Sequence, residues 1–300
     1  MEKNVLVNNV VSMLIKSGFS VAVTEGCFDI AAKREHLMLI KILINIDGLN
    51  EDQAASLRTI SYFLSAYPMV VAVKTNREFL KDEMIYSRFQ LPVVTPGMLN
   101  NVLEEEAVAV KAAKGRYTVE VNAAALREKR NEMKMSMQEL ADAVGISKKA
   151  LYEIETKRVN PTTETLEKLE KMLKVDLKTD YEMKIAEKTC MKPRDEFEKT
   201  VDKELKRMGM ESSPVRSAPF EIIGKEKFSV ITSLSKNGLK IKREARTVRS
   251  LSDILSTKGF FVAKKTEEKS ASGVPIILES ELPEIDTPKE LKKIIKEKSE

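Results

Sequence analysis

The chain has no tryptophan, a single histidine and two cysteines among its 300 residues. With His36 alone, imidazole acid–base chemistry has little to work with. Cys27 and Cys190 lie far apart without CxxC or Cys/His spacing. A structural zinc centre is therefore not expected, and the residues indicate no other metal or cofactor. No apolar run approaches the roughly 20 residues that cross a bilayer, and the N-terminus lacks a basic-then-apolar leader. The expectation is a cytoplasmic protein with no membrane partner.

What is present is apolar content of 42 % over a length that suggests two or three domains with sizeable cores. The net charge of +5 is spread unevenly, at −1 for residues 1–122, +1 for 123–177 and +5 for 178–300. In the last segment Lys236, Lys240, Lys242, Arg243, Arg246 and Arg249 are interrupted only by Glu244. Such a strip suits either contact with phosphates or a solvated face.

Residues 126–175 carry the sharpest pattern. Ser136 is placed to cap a helix with an apolar stripe of Leu140, Ala141 and Val144, and Gly145 ends it at the turn. Ile146 would plug the corner, Ser147 caps the next helix, and that helix buries Ala150, Leu151 and Ile154. Lys148, Lys149, Tyr152 and Glu153 are left on its outer face, which fits a major groove. Asn160-Pro161-Thr162 reads as a break and a new cap, followed by Leu166, Leu169, Met172 and Leu173. This window resembles the phage-repressor and Cro-type helix-turn-helix family, whose pattern LRxxRxxxxxSxxxLAxxxGxSxxxxxxxExxxxxPxxxTLxKLxxxL it matches with few departures. One departure is Met137, where the family usually has Gln directly after the cap; Gln138 comes one place later.

The flanks repeat each other. At a constant offset of 191, Arg58, Ser61, Leu64, Ser65, Val71, Ala72, Lys74 and Thr75 fall on Arg249, Ser252, Leu255, Ser256, Val262, Ala263, Lys265 and Thr266. The same offset carries Leu14 and Gly18 onto Leu205 and Gly209. With one residue of slippage, Phe28-Asp29-Ile30 meets Phe220-Glu221-Ile222, and Thr95-Pro96 meets Thr287-Pro288. Two copies of one α/β unit, each a small mixed sheet covered by helices, are thus expected to bracket a five-helix helix-turn-helix domain. Each reads helix, strand, strand, helix, strand and terminal helix, and a hairpin turning at Lys114-Gly115 follows the first. The expected segments are 1–122, 123–177 and 178–300.

The order helix, then Phe28-Asp29-Ile30, then an apolar strand with Lys41 resembles the core of restriction-endonuclease-like nucleases. That resemblance implies two carboxylates holding Mg²⁺ beside a lysine. Asp29 and Lys41 match, but Leu39 stands at the second acid position, and after Glu221 the other copy has Val230 and Thr232. The unit therefore reads as a degenerate nuclease without activity, in which Asp29 and Glu221 cap strand ends and Lys41 is solvated or snorkels at an edge. The alternative is a Mg²⁺-dependent or resolvase-like nuclease using Asp29, Lys41 and an acid such as Glu25. A third reading is a scaffold whose repeats bind a protein.

Taken together, the chain resembles a family of archaeal transcriptional regulators with a Cro-type helix-turn-helix between two α/β segments. The resemblance implies a non-enzymatic, sequence-specific regulator bound to double-stranded DNA. Ser147, Lys148, Lys149 and Tyr152 would face bases or adjacent phosphates; Gln138, Lys157, Arg158 and Asn160 would hold the backbone. Such modules usually pair to read two half-sites, so a homodimer is expected. The repeats could supply dimer contacts or bind a small effector, and the sequence leaves that choice open.

Overall fold

The structure, a computed structural model, describes residues 2–82, 85–103, 110–113, 116–119, 121–159, 161–177, 184–236 and 238–299. Compactness groups the chain into two units, Met1–Met69 with Lys184–Glu300, and Val70–Met183. This differs from the three consecutive segments read from sequence, because elements at the two ends of the chain pack on one another.

In the first unit α1 (Lys3–Lys16) buries Leu6, Val10 and Leu14, one residue per helical turn. It packs on β3 (Leu37–Asn45), the third strand of an antiparallel meander with β1 (Ser20–Val23) and β2 (Ile30–Lys33). The run Leu37 to Ile42 is buried throughout, as expected for a strand covered on both faces. Helix α2 (Glu51–Leu64) starts on the Asn50 cap and ends on Ser65 in the left-handed region. Strand β4 (Tyr67–Lys74) then runs from the first unit into the second.

The second unit continues with β5 (Tyr86–Arg88), antiparallel to β6 (Leu91–Val94), which pairs parallel with β4. Thr95 Oγ1 accepts from Met98 N–H at 3.0 Å and caps α3 (Pro96–Leu103). An antiparallel hairpin of β7 (Val110–Ala113) and β8 (Arg116–Val119) follows; its expected turn residues, Lys114 and Gly115, lie outside the described residues. Among the described residues four helices follow in this unit, where five were expected: α4 (Ala123–Glu132), α5 (Met137–Val144), α6 (Lys148–Glu155) and α7 (Thr163–Leu173).

The returning part of the first unit holds α8 (Glu196–Arg207), β9 (Glu211–Pro214), β10 (Ile222–Lys225), β11 (Ser229–Ser235) and α9 (Leu239–Leu255). It ends with β12 (Lys258–Ala263), β13 (Ser270–Ala271), β14 (Val274–Leu278) and α10 (Pro288–Ser299). Its strands form one mixed sheet in the order β13-β14-β12-β11-β10-β9. Helix α8 buries Phe197, Val201 and Leu205, the residues 191 beyond Leu6, Val10 and Leu14 of α1. The repeat is therefore one of packing as well as of letters. Each copy also has strands that the sequence reading passed over, β1 and β9 among them, because four residues are too few to show a period.

Within the first unit the copies meet through equivalent surfaces. Helix α9 packs on β2 while its equivalent α2 packs on β10, the equivalent of β2. Lys33 Nζ donates to Ser256 Oγ, and Lys225 Nζ donates to Ser65 Oγ at 3.2 Å. Gly26 lies against Ser217, its own counterpart at offset 191, and Cys27 N–H donates to the Ser217 carbonyl. Reciprocal contacts with self-equivalent residues at the centre are the signature of a twofold interface. Gly26, at φ +143°, sits where a Cβ would strike the Ser217 carbonyl, so only glycine allows the backbones to come so close.

Candidate nucleic-acid interface

The helix-turn-helix forms as its caps dictate. Ser136 Oγ accepts from Glu139 N–H at 3.2 Å while Glu139 Oε2 accepts from Ser136 N–H at 2.7 Å, a reciprocal box. The Ser136 N–H bond to this carboxylate, followed by the hydroxyl contact, holds the Glu139 pKa below its ordinary value. Gly145 ends α5 at φ +79°, and Ser147 Oγ accepts from Ala150 N–H at 3.0 Å to start α6. Leu140, Ala141, Val144, Leu151 and Ile154 are buried between the helices, and Ala150 and Ile146 are half-buried.

A buried ion pair fastens α6 to α4. Arg130 Nε reaches Glu155 Oε1 at 2.7 Å, its Nη2 reaches Oε2 at 3.1 Å, and its Nη1 donates to the Met135 carbonyl at 2.9 Å. The hydrogen bond it donates to Glu155 raises the Arg130 pKa above its ordinary value. This pair was not singled out from the sequence, although both members occupy fixed letters of the repressor-type pattern, the second Arg and the Glu. An ionic pair at the core of a small helical module shows only once the fold brings two distant letters together.

The outer face of α6 is open. Lys148, Lys149 and Tyr152 are exposed, with Tyr152 at 41 %. Lys149 Nζ lies 3.9 Å from Glu153, and the Arg158 guanidinium stacks over the Tyr152 ring at 5.5 Å from its centre. Arg158 and Tyr152 thus form one cation–π unit, bringing together two residues that the sequence assigned separate duties. Lys157 is exposed at φ +57°. The Ser147 side chain is engaged in its cap, and Gln138 Nε2 donates to Asp142 at 2.8 Å. Asn160 lies outside the described residues.

The nuclease-like centre departs from expectation. Lys41, expected to be solvated or to snorkel, is buried and lies 3.2 Å from Asp29. Asp29, also buried, accepts from Lys3 Nζ and from Ile42 N–H, each at 2.7 Å. The second copy repeats the carboxylate but changes the source of the cation. Glu221 accepts from Leu234 N–H at 2.8 Å and pairs with Lys240 of α9 at 2.5 Å. The slip of one residue therefore continues through the strand, and Ser233 rather than Thr232 occupies the lysine position. These residues do not fit Mg²⁺. Asp29 is already bonded to two ammonium groups and an amide, Leu39 at the second acid position is fully buried, and Glu25 is exposed. Hard divalent cations need several free oxygens.

The basic strip of the last segment is largely paired with acids. Lys236 meets Asp195 at 3.0 Å, Lys240 meets Glu221, Lys242 meets Glu268 at 2.9 Å, and Arg243 meets Glu244 at 3.1 Å. Among the described residues no helix is long and apolar enough to cross a membrane.

Residues 3–108 match the family model described as a PD-(D/E)XK superfamily domain, and residues 126–179 match that of the helix-turn-helix family. A protein of Pyrococcus horikoshii is 32 % identical over 311 residues, covering 99 % of this chain and 98 % of its own length. It bears the provisional name HTH-type transcriptional regulatory protein. The chain belongs to this archaeal family of HTH-type transcriptional regulatory proteins. A namesake from Thermococcus gammatolerans is also 32 % identical, over 98 % of this chain and 96 % of its own. Another from Methanothermobacter thermautotrophicus is 30 % identical over 95 % and 94 %. The chain thus combines a restriction-endonuclease-like fold with a helix-turn-helix. No solved structure matches the chain.

Proposed function

We propose that this protein is a non-enzymatic transcriptional regulator that reads specific duplex DNA through the major groove with α6. The observation that carries the reading is the solvent-open face of Lys148, Lys149 and Tyr152 on a helix fixed from behind by its cap, its apolar side and the Arg130–Glu155 pair. A rigid helix with an exposed polar face is what base-edge recognition requires. The names carried by full-length relatives support the same reading.

Tyr152, Lys149 and Lys148 are assigned to bases or adjacent phosphates, and Lys157 to the backbone. Ser147 and Gln138 contribute through their cap and hydrogen-bonded positions at the helix starts, and Asn160 keeps its assignment to the backbone. Arg158 grips phosphate while steadying the Tyr152 ring beneath it. Two chains pair on a two-part site, and the flanking copies act without turnover. Absence of turnover is supported by the Asp29 carboxylate, which is committed to Lys3, Lys41 and the Ile42 amide.

Fragments selected from random duplex DNA supply the operator for the test. Tyr152→Ala should weaken operator binding by about 1–3 kcal/mol while sparing random DNA, and Lys157→Ala should weaken both alike. Equal losses on both DNAs for Tyr152→Ala would remove the base-reading assignment. Incubating linear and branched duplexes with Mg²⁺ or Mn²⁺ should leave them intact; cleavage abolished by Asp29→Ala would reverse the non-enzymatic reading.

A further inference from the structure

Helices α2 and α9 are counterparts across the internal repeat. Both end on a left-handed serine, Ser65 and Ser256, and each packs on the opposite copy. Their outward charges nevertheless differ in sign. Lys242 stands where the first copy has Glu51, Arg243 where it has Asp52, and Arg246 where it has Ala55, while Arg249 matches Arg58. Over its length α9 carries five cations against two anions, and α2 carries one against two.

Fold requirements do not account for this change. Helix α2 places its acids in the first turn, where the helix dipole favours them, whereas α9 begins with cations and no acid there. Lys240 has a task inside the fold, the neutralisation of Glu221. Lys242 and Arg243 have none, since their side chains are 71 % and 77 % exposed and, among the described residues, meet only Glu268 and Glu244 near the surface. Exposed pairs of this kind hold weakly, so a phosphate can take the place of the acid. Arg246 is exposed and pairs with no acid among the described residues. Helix α6 opens in the same manner, with Lys148 and Lys149.

We infer that the outward face of α9, built from Lys242, Arg243, Arg246 and Arg249, is a second DNA surface that grips the phosphate backbone of duplex DNA without reading bases. The inference rests on the DNA-binding reading above. Arg243, Arg246 and Arg249 span about 9 Å of helix at 1.5 Å per residue. Duplex DNA offers one phosphate per 3.4 Å along each strand, so the two spacings allow about three phosphates to be gripped. Lys242 meets Glu268 at 2.9 Å, and Arg249 meets Asp253 at 3.5 Å and donates to the Gly273 carbonyl at 3.2 Å, so at the two ends of the strip a phosphate has to displace these surface partners.

The test uses the full-length chain carrying Arg243→Ala with Arg246→Ala, and in parallel Arg243→Lys with Arg246→Lys. Binding to operator and to random duplex is followed by fluorescence anisotropy over a series of salt concentrations. Because the alanine pair leaves two phosphates without a cation, the slope of log affinity against log salt should flatten by about 1.8, at roughly 0.9 per phosphate. Operator and random DNA should lose affinity by the same factor, and the lysine pair should restore the wild-type slope. An unchanged slope in the alanine variant, with wild type bound, overturns the inference and leaves the role of α6 intact. A loss confined to the operator overturns it too, as does failure of the lysine pair to restore the slope. Wild type that binds neither duplex overturns this inference and the DNA-binding reading together, leaving the strip to an acidic protein partner.

Discussion

At the scale of single residues, buried charge is the feature that sequence conveys least. Arg130 and Glu155 are 25 positions apart, and their letters do not say that one carboxylate takes two bonds from one guanidinium inside the module. Truncating Glu155 to alanine would strand the Arg130 charge in an apolar setting. A loss of about 3–5 kcal/mol is expected, enough to unfold a small helical module in a urea melt. The apolar double replacement Arg130→Met with Glu155→Leu should stay near wild-type stability, because it removes both charges together. If the single and double variants melted alike, the pair would not be the source of the loss. Lys41 was misplaced for the same reason. Its charge suggested water, and only the fold sets the Asp29 carboxylate beside it to repay its burial. The two thiols separate equally clearly. Burial pushes the Cys27 thiol up to about 12 from its ordinary 9.0, while Cys190 is exposed. Between those two values the unfolded thiol ionises and the folded one does not, so the stability from Cys27 is intact below pH 9.0 and declines as pH rises towards 12. One thiol per native chain should react with a maleimide at neutral pH, and the second only after unfolding. Two equivalents taken up by the native protein would contradict the burial of Cys27.

At the scale of elements, helices and their ends were largely legible, since caps are local chemistry. Ser136, Gly145, Ser147 and Thr162 each stand where the sequence put a boundary. Short edge strands such as β1, and the interface of the two copies, were not. A four-residue strand has no period to detect, and the contact of Gly26 with Ser217 joins positions 191 apart. Two glycines of positive φ show how differently such positions respond. At Gly145 an added Cβ meets nothing within 4 Å, so Gly145→Ala costs only the left-handed backbone, about 1 kcal/mol. At Gly26 the Cβ meets the Ser217 backbone, which cannot rotate away as a side chain would. Gly26→Ala should therefore lower the urea midpoint several times as far as Gly145→Ala. Equal shifts for the two would mean that the approach of the copies is not as tight as drawn.

At the scale of the whole molecule, duplication and recognition obey different symmetries. The α/β copies pair through equivalent surfaces inside one chain, so that face is already occupied and is not free to join two chains. The chain holds a single α6, and if α6 reads bases as proposed, one such helix covers only half of a two-part site. On the proposed reading, two chains are expected to come together through some other surface, with operators showing dyad symmetry at a half-site spacing of about 10–10.5 bp. Light scattering of the protein with selected operator should give twice 33.8 kDa of protein per duplex, and inserting five base pairs between half-sites should abolish tight binding because it turns one half-site to the opposite side of the helix. A single chain per duplex, indifferent to that insertion, would mean that one α6 works alone.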